Sequence, residues 1–250
     1  MINISSRSNE IFKKIKKLKQ KKYRDIEKQF LAEGDKFLNY EKNIVNYIIN
    51  EEYYEKYKEK IDLDKLIILT KELFNEISSH ENSQGVIIVY NYNYSNVNKF
   101  KNTVIVLDKI QDPGNIGTII RTADAIGVHD FIMIKGTGDI YNEKTVRATM
   151  GSIFKINCVY FEEDEAVNNL INNNYNIIAT TLSDKSINYD KMILSNKNAI
   201  IFGNEGNGIS KFIQENSNYL IKIPIIGDAE SLNVSVAAGV ILYKYLKLYK

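Results

Sequence analysis

The chain has 250 residues, 44% of them apolar and 26% charged, with a net charge of +2, all values of an ordinary globular protein. Nothing approaches the roughly 18 uninterrupted apolar residues that a membrane span needs, and lysines fill the N-terminal region where a signal peptide would carry its apolar core. The single cysteine, Cys158, rules out an internal disulfide and no Cys/His cluster offers a zinc site, so a cytoplasmic, metal-free protein is expected.

Charge is unevenly placed. Residues 1–40 hold 11 Lys/Arg against 5 Asp/Glu, about +6 locally. The run KKIKKLKQKKYR (13–24) spaces Ile15 and Leu18 three apart among lysines, which predicts an amphipathic helix. Two readings stand: a solvated face, or a basic face for phosphate backbones. The narrow apolar stripe disfavours a membrane-surface or calmodulin-type role. QFLAEGDKFLNY follows, interrupted by Gly34. NIVNYIIN predicts a strand, EEYYEKYKEK a charged exposed helix, LIILT a short buried strand, KELFNEISSHENSQG a helix running into a loop, and GVIIVY another strand. These make a small α/β domain over residues 1–92. The polar, aperiodic stretch that follows places a linker at 93–102 and a second domain at 103–250.

From Thr103 strands and helices alternate regularly. TVIVLDKI, DFIMIKG, NCVYF, YNIIATTL, NAIIFGNEG and YLIKIPII read as strands. GTIIRTADAIG, NEKTVRATMGSIF, DEAVNNLINNN and the closing NVSVAAGVILYKYLKLY read as helices. Short Ile/Val-rich runs alternating with helices predict a parallel sheet covered on both faces.

Ligands of such sheets bind beyond the carboxyl ends of the strands. Three loops there carry unusual chemistry: Asp112-Pro113-Gly114-Asn115-Ile116-Gly117, Gly203 to Ser210, and Gly227 to Asn233. The second nearly spells a P-loop, but Ile209 stands where the phosphate-gripping lysine belongs, and Lys211 lies past the serine. That argues against nucleoside-triphosphate hydrolysis. KGTGDIY has Gly136 and Gly138 but Tyr141 at the third glycine position, so the dinucleotide fingerprint fails as well. Glycine-lined loops without either signature suit a ligand held by backbone groups, such as an adenosine-like moiety.

The three loops, in this order, resemble the SpoU/TrmH family of RNA ribose 2′-O-methyltransferases in the SPOUT superfamily. The resemblance rests on DPGNIGTIIRTADAIGV, with Asn115, Gly117 and Arg121; on FGNEGNGIS, with Glu205; and on IPIIGDAESLNVSVAAGV, with Ser231 and Asn233. It covers residues 103–250, with no departure at the motif positions. Residues 1–92 resemble, less specifically, the ribosomal-protein-like RNA-binding domain often fused ahead of this catalytic domain. The resemblance implies a knotted (trefoil) α/β methyltransferase domain, S-adenosylmethionine as cofactor, RNA as substrate and a homodimer. Cofactor contacts then fall on Gly203, Ile223 and Leu232, with Thr180 and Leu182 as further candidates.

Catalytic positions implied by the resemblance are Arg121, Asn115, Glu205, Ser231 and Asn233. Arg121 activates the ribose hydroxyl in that reading. A protonated guanidinium has no spare lone pair, so an electrostatic role, steadying a developing alkoxide and the adjacent phosphate, competes with a literal base. Asn115 precedes the helix and could cap it or orient Arg121; Glu205 could hold Arg121 or an RNA group, or face water. Asn233 could cap the last helix. Arg147 could contact RNA phosphate or form a surface salt bridge. His80 and His129 lie outside the motifs and read as structural, and Cys158 as a small buried apolar residue. Ribosomal RNA, 23S in particular, is the expected substrate. Transfer RNA is the alternative, and a catalytically silent RNA-binding or ribosome assembly factor is the rival of another class.

Overall fold

The computed structural model describes residues 1–93, 95 and 100–248, with side chains to residue 245. Residues 94 and 96–99 of the expected linker lie outside the described residues. The chain divides into two compact units: residues 1–93 with 139–154, and the described residues of 94–138 and 155–250.

The first unit runs β1 (Ile2–Ile4), α1 (Glu10–Lys17), α2 (Lys21–Glu27), β2 (Gln29–Glu33), β3 (Ile44–Asn50), α3 (Tyr54–Tyr57), β4 (Leu66–Leu69), α4 (Lys71–Ile77) and β5 (Val86–Asn91). Its sheet has the order β1-β4-β3-β5-β2. The first three of these strands are parallel, while β5 runs antiparallel to both β3 and β2. Phe12, Ile15 and Leu18 from the basic segment pack with Leu73, Phe74 and Ile77 over Ile48, Ile67 and Ile87. The spacing of Ile15 and Leu18 was therefore a true core signal.

Three details depart from the sequence reading. The run 13–24 is two helices, not one, because Arg24 turns inward and closes the corner between them. It is 2% exposed and donates through Nη1 to the carbonyls of Leu18 and Lys19, each at 2.8 Å. The expected exposed helix at 51–60 shrinks to a single turn plus α3, since Tyr57 is fully buried and donates to Gln84 O at 2.9 Å. β1, three residues long, was too short to show a period.

The second unit runs β6 (Thr103–Asp108), α5 (Pro113–Ala125), β7 (Asp130–Ile134), then, after an excursion that carries α6 (Glu143–Ala148), β8 (Asn157–Phe161), α7 (Glu163–Asn172), β9 (Asn176–Thr180), β10 (Ile187–Asn188), β11 (Asn198–Gly203), α8 (Lys211–Glu215), β12 (Tyr219–Lys222) and α9 (Val234–Leu248). All seven strands are parallel, in the order β10-β12-β9-β11-β6-β7-β8. β6 and β7 are wholly apolar inside, as strands covered on both faces must be. Cys158 is buried in β8, and burial pushes its thiol far above the ordinary range, so it is no nucleophile.

The excursion 139–154 was expected in the second domain, yet it groups with the first unit. Asp139 receives Arg24 Nη2 at 2.6 Å and Nε at 3.1 Å. Tyr141 stacks on Tyr92 with centroids 3.9 Å apart and meets Phe30 at 4.7 Å. Phe154 stacks on Tyr40 at 4.4 Å. The helix expected over 142–154 stops at Ala148, because Met150 and Gly151 both take positive φ (53° and 101°). No helix among the described residues is long and apolar enough to cross a membrane.

The Arg24–Asp139 pair is buried on both sides, and removing one partner strands the other charge. Arg24→Ala is expected to destabilise the chain by about 3–5 kcal/mol in chemical denaturation.

Candidate active site

The first motif loop is built by a proline-led helix start. Asp112 caps α5, accepting from Asn115 N at 2.8 Å, and Pro113 takes the first position, where a missing N–H is harmless. Asn115 was read as a possible cap. It lies instead in the first turn, which frees its amide, and that amide reaches across to both other motif loops. Its Nδ2 donates to Glu205 Oε1 at 2.8 Å, and its Oδ1 accepts from Asn233 Nδ2 at 3.1 Å. Asn233 in turn caps α9, its Oδ1 accepting from Ser235 N at 2.9 Å and Ser235 Oγ at 2.6 Å.

The second loop leaves β11 at Gly203, beside β6. A Cβ on Gly203 would lie 2.5 Å from the Gly208 carbonyl carbon and 2.6 Å from Ile209 N, so only glycine fits under the returning loop. Asn204 organises the turn: its Oδ1 accepts from Gly206 N and Asn207 N, and its Nδ2 donates to Lys109 O at 2.7 Å. Gly208 completes it at φ 66°. Asp108, 1% exposed at the end of β6, accepts from Ser210 N at 3.1 Å. Burial holds its carboxyl above the usual range, against the Ser210 amide and the Lys109 ammonium, which lies 3.8 Å from its other oxygen. Ile209 is a core residue, 3% exposed. Packing demand, then, is what excludes the P-loop lysine.

The second and third loops, with the segment that follows β9, form one cleft of about 620 Å³ at the carboxyl ends of β9, β11 and β12. All five expected cofactor contacts, Thr180, Leu182, Gly203, Ile223 and Leu232, line it, as do Glu205, Ser231 and Asn233. The volume suits a ligand of nucleoside size. Its charged lining residues are Glu205, Glu230 and Lys222, an excess of carboxylate that favours a cation over a triphosphate.

Arg121 and Asn115 are not among the lining residues. Arg121 is exposed and has no hydrogen bond or ion pair among the described residues. It stands six residues beyond Asn115, about 9 Å further along α5 and turned by roughly 120°. The expected Glu205–Arg121 contact is absent: Glu205 bonds Asn115 instead. Arg147, in the first unit, forms no salt bridge among the described residues; its Nη1 lies 3.5 Å from His80 Nδ1. His129 pairs with Asp124 at 2.9 Å, and the Thr180 hydroxyl donates to Ile201 O at 3.0 Å. Asp108 and Asn204 have no role in the sequence reading and Asp112 only a place in its loop, although an Asn or Asp opening a glycine loop is a recognisable turn former.

A model of the SpoU rRNA methylase family matches residues 102–243, and one of an MRM3-like substrate binding domain matches residues 9–88. The 23S rRNA (guanosine(2553)-2′-O)-methyltransferase RlmP of Bacillus subtilis is 32% identical over 248 residues, 97% of this chain and 98% of its own. The AdoMet-bound rRNA methyltransferase of Sinorhizobium meliloti covers 99% of this chain and 98% of its own, with a TM-score of 0.88 at 29% identity. A TrmH/SpoU tRNA modifying enzyme of A. aeolicus covers 59% of this chain and 75% of its own, with a TM-score of 0.53 at 29% identity. Fold, cleft and likeness define the class, a parallel-sheet α/β methyltransferase. The chain belongs to the SpoU rRNA methylase family.

Because Gly203 has backbone on its Cβ side, Gly203→Ala must displace the loop that carries Glu205. The variant is expected to lose about 1–3 kcal/mol of stability and to bind S-adenosylmethionine at least tenfold more weakly by calorimetry.

Proposed function

We propose that this chain transfers the methyl group of S-adenosylmethionine to the 2′-oxygen of a ribose in 23S ribosomal RNA. The observation that carries the reading is convergence: eight of the ten motif-derived site residues line a single cleft, and a ninth, Asn115, is bonded to two of them. Gly203 lets the loop that carries Glu205 fold back beside the cleft, and Glu205 and Glu230 fit the cofactor by charge. Bound there, the cofactor supplies an electrophilic methyl carbon on a cationic sulfur. Thr180, Leu182, Gly203, Ile223 and Leu232 would hold it.

The chain's own residues then have separable tasks. Asn115, locked between Glu205 and Asn233, presents a fixed amide edge at the cleft's border. Arg121 is exposed, with all its donors unclaimed among the described residues. In this reading it steadies the oxyanion that forms as the hydroxyl loses its proton, and its planar fork also suits the neighbouring phosphate. The proton leaves to a phosphate oxygen or to water, since a protonated guanidinium cannot accept it.

Residues 1–92, with the excursion 139–154 that groups with them, serve as the RNA-recruiting domain and the rest of 103–250 as the methyl-transferring domain. Ribosomal over transfer RNA is supported by the relatives: the Bacillus subtilis and Sinorhizobium meliloti rRNA methyltransferases match nearly the whole chain, whereas the A. aeolicus tRNA modifying enzyme matches little more than half. A homodimer is supported by Val236, Val240 and Tyr243, which leave an exposed apolar stripe along α9 at helical spacing, and by Ile226, wholly exposed nearby in sequence. The trefoil knot belongs to the same reading, supported by the match to the SpoU rRNA methylase family. So does a cytoplasmic location, where ribosomal RNA would be met.

Calorimetry with S-adenosylmethionine, followed by methyl transfer to 23S RNA and to tRNA, tests the proposal. Binding with ribose methylation of 23S RNA is expected. Arg121→Ala should keep cofactor affinity within about twofold yet lower turnover by about 10²-fold or more, and Arg121→Lys should recover only part. RNA binding without cofactor binding would leave a silent RNA-binding factor, and methylation confined to tRNA would overturn the substrate.

A further inference from the structure

The basic N-terminal segment has fewer available cations than its composition suggests. Arg24 is buried against Asp139. Lys13, Lys14 and Lys21 pair with Glu10, Glu27 and Asp25, each at 2.7 Å. Arg7 and Lys16 share Glu76, and Lys19 donates to the carbonyls of Ile77 and Ser78. That leaves Lys17, Lys22 and Lys28 without an ion pair among the described residues.

These three are not scattered. Lys17 ends α1 and Lys22 lies in the first turn of α2, and their ammonium groups are 5.3 and 5.9 Å from the centroid of the Tyr23 ring. Lys28 lies 5.8 Å from the ring of Tyr92. The corner that brings Lys17 and Lys22 together is clamped from inside by Arg24 on the carbonyls of Leu18 and Lys19. A buried arginine with four hydrogen bonds thus sets the corner that brings both lysines within reach of one aromatic ring. Neither ammonium has a carboxylate within ion-pair distance among the described residues, and the ring's negative face satisfies each only in part, so both remain available to an anion. Both lysines are exposed and Tyr23 is half-buried, so the pair is accessible.

We propose that the Tyr23 face, with Lys17 and Lys22, is a phosphate-contact site through which the N-terminal unit grips RNA. The proposal rests on the methyltransferase reading and specifies where its recruiting domain meets the substrate. It divides the lysines of one short segment into two kinds. Lys17 and Lys22 contribute counterion release on binding, whereas Lys13 and Lys21, already neutralised three and four residues away, contribute little.

The test is binding of the full chain to protein-free 23S ribosomal RNA, measured across a range of salt. The Lys17→Ala/Lys22→Ala variant is expected to bind about tenfold or more weakly near 0.1 M salt. Its slope of log K against log salt should be shallower by about 1.4–1.8, two contacts' worth. The Lys13→Ala/Lys21→Ala variant should change the slope by less than about half a contact. Affinity for S-adenosylmethionine should be unchanged in both, and Lys17→Gln/Lys22→Gln should repeat the result with the side-chain bulk retained. Equal slopes in the two Ala variants, or an unchanged slope in the first, would overturn the proposal. If wild-type protein methylates no RNA, the enzymatic reading fails instead; if it methylates normally and only the slope test fails, this face alone is wrong.

Discussion

The site depends on a one-way relay of side-chain amides. A carboxylate can only accept hydrogen bonds, so Glu205 dictates that Asn115 turns its Nδ2 toward it. That choice leaves Asn115 Oδ1 as an acceptor, which Asn233 Nδ2 satisfies. Asn233 is then obliged to point its own Oδ1 at the start of α9, where Ser235 N waits as an uncapped donor. Each orientation forces the next, and the chain of donors runs from a helix terminus to an exposed carboxylate across three segments separated by 118 residues. A single hydrogen bond of this kind contributes about 1 kcal/mol. The larger effect is geometric, since no member can rotate without leaving another unpaired.

The framework beneath the relay does a different job. Asp108 and Lys109, at the end of β6, bind both ends of the glycine loop, through Ser210 N and the Asn204 amide. Gly203 lets that loop fold back over the strand. A rigid parallel sheet therefore delivers the loop, and the relay fixes only its outermost carboxylate. This separation explains why the cleft can be lined largely by backbone and aliphatic groups while its chemistry sits at the rim.

Much of this was legible in the sequence because it is written locally. Strand runs such as TVIVLD and IIFG, the Pro-Gly start of α5 and the Asn cap of α9 each show themselves within a few residues. The missing P-loop lysine was visible at Ile209, though its burial as the cause was not. What escaped depends on contacts far apart in the chain. Arg24 looks like one more surface cation until Asp139, 115 residues away, is beside it. Tyr141, a failed glycine position in one motif, is a stacking partner of Tyr92 and Phe30. The excursion 139–154 accordingly changes units, which no local pattern could announce. Asn115 looked like a cap because caps are local, and its bonds to Glu205 and Asn233 are not.

The central claim is that Asn115 and Glu205 act as one device. It is tested most directly by a double-mutant cycle on methyl transfer to 23S RNA, with Asn115→Ala, Glu205→Gln and the pair. Coupling is expected: the double variant should be little slower than the worse single one, with an interaction energy of about 1–3 kcal/mol. Two effects that simply add, within about 0.5 kcal/mol, would contradict the relay, whatever the size of each.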